Sequence, residues 1–249
     1  MKEIPKNHPR YLSLVTREKI KQAMIDGLVH ETGLIAHGRG EAFDYLIGEK
    51  TIPSASKAEK VAAARLICAK KPVISVNGNV VALVAKDVIE LADIIPAIIE
   101  VNLFHRSKFR VDKLINELKK YGAKKVYGAT ADAHIPSLDS NRGLCDKEGI
   151  FTADVVLVPL EDGDRCEALN KMGKTVITID LNPLSRTART ADITIVDNVI
   201  RAIPNISNWI KKLKNEDKEF LKEMIKSWDN KKMLNEVTSF ISKRLSKID

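Results

Sequence analysis

The stretch VITIDLNPLSRTAR, Val176 to Arg189, opens as a β-branched apolar run and changes character abruptly at Asp180. Valine, isoleucine and threonine favour the pleated surface of a sheet, and a run this short reads as a strand. Asp180, Asn182, Ser185, Arg186, Thr187 and Arg189 then follow in quick succession. In an open α/β sheet the ligand crevice lies outside the carboxyl ends of the strands, so polar groups placed there face a bound molecule. Groups of this kind handle anions, and a phosphate-bearing ligand is the first expectation. A polar surface loop is the other reading of any single segment of this type.

Repetition along the chain favours the first reading. From Pro72 onward, short β-branched runs alternate with helical segments, the pattern of βαβ units and a mainly parallel sheet. The runs are Val73 to Val76, Ile98 to Val101, Lys125 to Tyr127, Val155 to Val158, Val176 to Ile179 and Ile193 to Val196. Helical spacing lies between them at about 80–94, 107–121, 164–171 and 199–212. Most of the strands end in ligand-binding side chains: Asn77 and Asn79; Asn102, His105 and Arg106; Asp162 and Asp164; Asp197 and Asn198. Several such ends on one edge of one sheet make a site. A helix begins just after Asn77-Gly78-Asn79, so its free N–H groups can hold an anion, and Gly78 lets the ligand approach the backbone.

The flanking segments are helical. A helix is expected from about Ser13 to Ile25, stopped by Gly27, and another through SKAEKVAAARLICAK, capped by Ser54 or Ser56. Between them GLIAHGRGEAFDYLIG, with His37 and Arg39, reads as a loop entering a short helix. The expected organisation is an N-terminal helical segment over 1–70, an α/β core over 71–212 and a lysine-rich helical extension over 213–249.

The net charge of +8 raises nucleic-acid binding as a possibility. Much of that excess sits in the extension, where lysines alternate with acids around Leu213, Phe220, Leu221, Met224, Ile225 and Trp228. That is a packing helix with a solvated face, and no nucleic-acid partner is expected. No apolar run approaches the roughly 20 residues of a membrane span, and MKEIPKNHPR is no secretory signal, so a cytoplasmic protein without a membrane partner is expected. Cys68, Cys145 and Cys166 suit neither a disulfide framework nor a cysteine-based metal site.

Standard nucleotide fingerprints are missing. No GxGxxG follows the first strand, and Glu49 interrupts the GK[ST] of a phosphate loop in Gly48-Glu49-Lys50-Thr51. The five histidines lack metal-ligand spacing.

The segments GLIAHGRGEAFDYLIGE, VISVNGN, IEVNLFHR, VVLVPLEDGDR and IDLNPLSRTAR together resemble the archaeal phosphopantothenate synthetases, also called 4-phosphopantoate–β-alanine ligases, over about 4–205. The resemblance implies a homodimer with a Rossmann-like sheet, and an ATP-dependent ligase of coenzyme A biosynthesis. Such an enzyme joins the carboxylate of 4-phosphopantoate to the amine of β-alanine and releases AMP and diphosphate. It further implies ATP binding by Arg17, Arg39, Asp180, Leu181, Asn182, Arg186, Thr187, Asn198 and Val199. Beyond about residue 210 no motif of the family is recognisable.

The chemistry fits these residue types. A carboxylate must be activated as a mixed anhydride by attack on the α-phosphorus of ATP, and arginine forks with Mg²⁺ neutralise the phosphoryl charge. Arg39 and Arg186 are the leading candidates for that catalytic role. Asn77, Gly78, Asn79, Asn102, His105 and Arg106 fall to the phosphopantoate side. His105, Asp162 and Asp164 are candidates for orienting or deprotonating the amine, and the two aspartates are weak candidates for holding Mg²⁺. Asp180 suits a ribose hydroxyl or adenine amine, or else caps its own loop. Arg189 is assigned to structure. Two other readings stand beside the ligase: a non-catalytic nucleotide- or phosphosugar-binding module, and a nucleic-acid-associated protein with steeply salt-dependent affinity.

Overall fold

The computed structural model describes residues 4–160 and 163–247. Helices α1 (Tyr11–Ile25), α2 (Glu31–Ile47) and α3 (Pro53–Ile67) precede β1 (Pro72–Val76), α4 (Gly78–Ile94), β2 (Ile98–Val101) and α5 (Lys108–Lys120). A two-stranded ribbon, β3 (Ala133–His134) with β4 (Leu144–Cys145), leads to β5 (Val155–Pro159), α6 (Gly163–Lys171) and β6 (Thr175–Ile179). The chain continues through α7 (Arg186–Thr190), β7 (Ile193–Ile195), α8 (Val199–Leu213), α9 (Lys218–Lys226) and α10 (Asn230–Leu245).

The main sheet has the order β2-β1-β5-β6-β7, and every pairing in it is parallel. Parallel strands need both faces covered, and the side chains divide accordingly. Ile74, Val76, Leu157, Ile177 and Ile179 pack beneath helices α3, α4 and α8, while Val73, Val156, Val158 and Val176 pack against α6 and the segment carrying Ile135 and Ile150. The crossover helices α4 and α6 therefore lie on opposite faces. With right-handed crossovers, this makes the strand order run outward in both directions from the β1–β5 boundary.

Three local expectations change, the first being that neither Ser54 nor Ser56 caps α3, which starts at Pro53 after the N-cap residue Ile52. The segment around Lys125–Tyr127 contributes a single bridge, Tyr127 to the edge of β2, with its N–H on the Ile99 carbonyl and its carbonyl accepting from Val101 N. The Asp146 carboxylate accepts from the N–H groups of Gly128 and Ala131 and draws the chain away from the edge. The expected glycine-rich loop before α3 is instead the 17-residue helix α2. Its Gly33 sits against α4, where a Cβ would stand 2.5 Å from Asn79 Oδ1. Interior helix glycines cost about 1 kcal/mol each relative to alanine, so close packing here outweighs propensity.

The lysine-rich extension folds onto the rest. Leu234 and Val237 of α10 share a cluster with Ile47, Ile52, Leu181 and Val196. Asn230 finishes the β7 edge: its Oδ1 accepts from Thr194 N at 2.8 Å, and its Nδ2 donates to the carbonyls of Ala188 and Ala191 at 2.9 and 3.0 Å.

A buried polar network ties α2 and α3 to α8. Arg201 donates from Nε to Asp197 Oδ1 at 2.8 Å and from Nη1 to Asp44 Oδ2 at 3.2 Å, and Asn198 Nδ2 donates to that same Asp44 oxygen at 2.8 Å. Thr51 donates to Asp197, and Asn205 Nδ2 donates to Thr51 Oγ1 and Glu59 Oε1 at 3.1 and 3.0 Å. Burial, opposed by the Asn205 amide and helped by repulsion from Asp197, pushes the Glu59 carboxyl up to about 8.

Asn230→Ala removes three hydrogen bonds at a half-covered sheet edge. It is expected to cost about 2 kcal/mol, read as a lower denaturant midpoint with the m-value unchanged. A wild-type midpoint would mean that the extension does not finish the sheet. Glu59 gives a pH signature. Above the ordinary carboxylate range and up to about pH 8, the folded chain holds a proton that the unfolded chain has released, so stability falls as pH rises through that window. Glu59→Gln stays neutral in both states. Its stability relative to wild type should climb from about pH 5 to about pH 8, and parallel pH profiles would contradict the assignment.

Candidate active site

The strand order reverses between β1 and β5, and there the carboxyl ends part to leave a crevice of about 270 Å³. Asn77 stands at the point of parting. Its Oδ1 caps α4 by accepting from Val80 N at 3.1 Å, and its Nδ2 donates to the Leu160 carbonyl after β5 at 3.2 Å. Helix α2 roofs the crevice along its length. Gly78 permits this, since a Cβ there would meet the Leu28 carbonyl oxygen at 2.4 Å.

The crevice has two ends, separated along α2 by roughly ten residues, or about 15 Å of helix. At one end the first turns of α2 and α4 meet, contributing His30, Thr32, Gly33, Asn77, Gly78 and Asn79, with His105 and Arg110 opposite. His30 caps α2 by accepting from Thr32 N at 3.3 Å through Nδ1, which places its neutral-form proton on Nε2. The His30 and His105 rings stack with centroids 3.8 Å apart and 14° between planes. Partial desolvation, with His30 and Arg110 adding to it, moves His105 below the ordinary histidine range. Arg110 donates to the carbonyls of His105 and Leu28 and so holds both sides of this end together.

At the other end lie Asp180, Leu181 and Asn182 after β6, Asn198 and Val199 at the start of α8, and Arg39, Gly40 and Phe43 of α2. The Asp180 carboxylate accepts from Ser185 Oγ and from Asn182 N, which fixes the loop. Its pKa is raised by burial, against the pull of Ser185, Asn182 and the facing Arg39. The positive first turns of α2, α4 and α8 all open on the crevice, alongside Arg39, Arg110 and Arg142, with Glu41 and Asp180 as its acids. The balance favours an anionic ligand.

Several expected site residues thus stand together: Arg39, Asn77, Gly78, Asn79, His105, Asp180, Leu181, Asn182, Asn198 and Val199. Others do not line this crevice. Arg17 is paired through Nη2 with Glu41 at 2.7 Å and reaches the crevice only through that carboxylate. Arg186 and Asp164 form an ion pair in an adjoining depression, where Glu167 also holds the guanidinium at 2.7 Å. Phe104 and Arg142 form the wall shared by the two spaces. Thr187 is buried in α7. Asn102 is fully buried, donating to the Arg142 and Leu144 carbonyls, and thereby anchors the loop that carries Arg142. Arg106 is half-buried and donates through Nη2 to the Gly128 carbonyl at 2.6 Å. Asp162 lies outside the described residues. No group of three or more histidine, cysteine or acidic side chains suited to a metal is found among the described residues.

His30, Arg110 and Arg142 are site residues that sequence reasoning overlooks. Histidine is an uncommon helix cap, Arg110 sits in a helix whose charges read as a solvated face, and Arg142 lies in a single 3₁₀ turn, Asn141–Gly143, with no motif. The only local hint is the chain order, since Arg110 follows His105 closely enough to be on the same strand end.

Comparison of the sequence with known proteins points to one family. The phosphopantothenate/pantothenate synthetase family profile covers residues 54–244. The 4-phosphopantoate–β-alanine ligase of Thermococcus onnurineus (strain NA1) is 53% identical over 249 residues, covering 100% of this chain and 95% of that protein. The protein of the same name from Methanosarcina mazei (strain Goe1) is 55% identical over 245 residues, covering 98% and 96%. Among the described residues no helix is long and apolar enough to cross a membrane. At this identity and coverage, with the matched segments forming the walls of one crevice, the chain belongs to the phosphopantothenate/pantothenate synthetase family.

Proposed function

We propose that this chain is an ATP-dependent ligase that condenses (R)-4-phosphopantoate with β-alanine to give 4'-phosphopantothenate, releasing AMP and diphosphate, in coenzyme A biosynthesis. The observation that carries the reading is the two-ended cationic crevice at the switch point, in a chain whose full-length relatives bear the name of that ligase. Two anions that must react with each other need two anion-holding ends and a shared middle.

The adenosine end is Asp180, Leu181 and Asn182 with Asn198 and Val199. Asp180, fixed by Ser185, offers a carboxylate to ribose or adenine, and Leu181 supplies an apolar floor. Arg39 faces the α-phosphate. The diphosphate then runs past Arg142 toward Arg186, which leaves Asp164 and Glu167 for the incoming phosphates. Attack by the acid carboxylate on the α-phosphorus forms the phosphopantoyl-adenylate and expels diphosphate. The β-alanine amine then attacks the acyl carbon and AMP leaves. The chain's residues contribute by holding the reacting atoms together, stabilising phosphoryl charge through preorganised donors and keeping water from the anhydride.

Mg²⁺ is the expected companion of ATP. The carboxylates lining the crevice, Asp180 and Glu41, are already engaged by Ser185 and by Ser13 and Arg17, so they do not make an open metal cage. The ion would enter with the nucleotide, held largely by phosphate oxygens. A cytoplasmic homodimer completes the proposal, supported by the large apolar side chains left exposed on α1 and α2, Leu12 and Ile35.

The test is to incubate the purified chain with ATP, Mg²⁺, 4-phosphopantoate and β-alanine and identify the nucleotide product. AMP formed only when 4-phosphopantoate is present is expected; ADP would indicate an acyl-phosphate route, and no turnover would refute the ligase. Arg186→Ala should lower kcat by about 10²-fold or more, since a phosphoryl-charge donor is lost. Its unfolding midpoint should stay at the wild-type value, because the ion pairs of Arg186 with Asp164 and Glu167 are exposed. Wild-type kcat in that variant would take Arg186 out of the site.

A further inference from the structure

We propose that His37 is the general base of the second half of the reaction, taking the proton that the β-alanine nitrogen loses as the amide forms. This rests on the ligase reading for the reaction, whereas the choice of residue is argued from the crevice itself.

Gly33, His37 and Gly40 stand at i, i+4 and i+7 of α2 and so share one stripe of the helix, and all three line the crevice. A Cβ on Gly33 would stand 2.5 Å from Asn79 Oδ1, at the end where α4 begins, and one on Gly40 would stand 3.5 Å from Leu181 Cδ1, at the end after β6. His37 is therefore the side chain that this stripe sets between the two ends, about 6 Å along the axis from Gly33 and about 4.5 Å from Gly40. An acyl group activated beside Arg39 meets its nucleophile in that middle.

Among the described residues, the other proton acceptors lining the crevice are committed or lie at its far end. Asp180 holds Ser185 Oγ and Asn182 N, and Glu41 holds Ser13 and Arg17. His30 caps α2 through Nδ1, and His105 stacks on its ring. His37 Nε2 is instead buried without a hydrogen-bond partner. A polar nitrogen left so is costly, and a reacting nitrogen that arrives with a proton is the partner the reaction brings. Burial, opposed by Glu41 and helped by Arg17, holds the ring below the ordinary histidine range and so in its neutral, proton-accepting form at neutral pH.

In the step assigned to His37, the lone pair of the neutral amine forms the C–N bond, the acyl C–O bond to the phosphoryl group breaks, and its electron pair leaves on AMP. The nitrogen becomes acidic as it bonds to carbon and passes one proton to the imidazole, which later returns it to solvent.

The two half-reactions are read separately in the full chain. Exchange of labelled diphosphate into ATP, dependent on 4-phosphopantoate, reports adenylate formation, and release of 4'-phosphopantothenate reports the amide step. His37→Gln should keep wild-type exchange and lower kcat for the amide step by about 10²-fold or more. Hydroxylamine, largely unprotonated at neutral pH and reactive without a base, should trap the adenylate equally fast in both proteins. At saturating β-alanine the wild-type amide rate should fall as pH drops below the ordinary histidine range, and that limb should be missing in His37→Gln. The charged groups around His37 are Arg39 and Glu41 on α2, Arg17 on α1, and His105, Arg110, Arg142 and Asp180 on the other crevice walls. All of them remain in the variant, so a limb lost with the imidazole belongs to it. A wild-type amide rate in His37→Gln, a limb that persists there, or loss of exchange together with the amide step would overturn the proposal, the last by making His37 architectural. A wild type with neither exchange nor AMP release removes the ligase reading and the base with it, whereas a ligating wild type matched by its variant removes the base alone.

Discussion

The reversal of strand order between β1 and β5 is the constraint from which the rest follows. Helix α4 leaves β1 for one face and α6 leaves β5 for the other, so no crossover can close the gap above their carboxyl ends. Asn77 bridges that gap with its amide while capping α4, a short link that holds the crevice open at a fixed width. The core on both faces supplies the rigidity, and its apolar burial is what allows so many polar groups to be held at one edge of the sheet.

Helix α2 turns an open crevice into an enclosed site. It is glycine-rich, which weakens it as a helix, yet it packs closely on α4 and is fastened at its far end through Asp44 to Asn198 and Arg201. A guanidinium shared by two carboxylates across α2, β7 and α8 is a costly thing to bury. Its benefit is positional, because the same Asp44 oxygen fixes Asn198 at the end of the crevice proposed for adenosine. The neutral Glu59 behind it limits the accumulated negative charge. Fold and site are thus held by one network, and α10 covers it from outside through Leu234 and Val237.

Much of this is legible in the sequence. The β-branched runs mark every strand of the main sheet, and the polar residues after them mark the edge on which the crevice opens. Helix α2 is misread because Gly33, Gly38 and Gly40 look like loop residues, and of these it is Gly33 whose packing on α4 accounts for a glycine in the helix. Tyr127 resembles a strand residue, but Asp146 diverts the chain after a single bridge. Asn102 ends a strand like its functional neighbours, and nothing local reveals that it points into the protein to anchor the Arg142 loop. Long-range partners decide all three cases. The same holds for His30, whose role depends on a stacking partner 75 positions away, His105.

The most direct test of this account is the crystal structure of the chain with a hydrolysis-resistant sulfamate analogue of the phosphopantoyl-adenylate. The account predicts the analogue lying along α2, with adenosine against Asp180, Asn182 and Asn198, its sulfamate beside Arg39, and the phosphate ester between His30, His105 and the first turn of α4. An analogue bound with its phosphate ester at the Asp180 end, or outside the β1–β5 crevice, would contradict it.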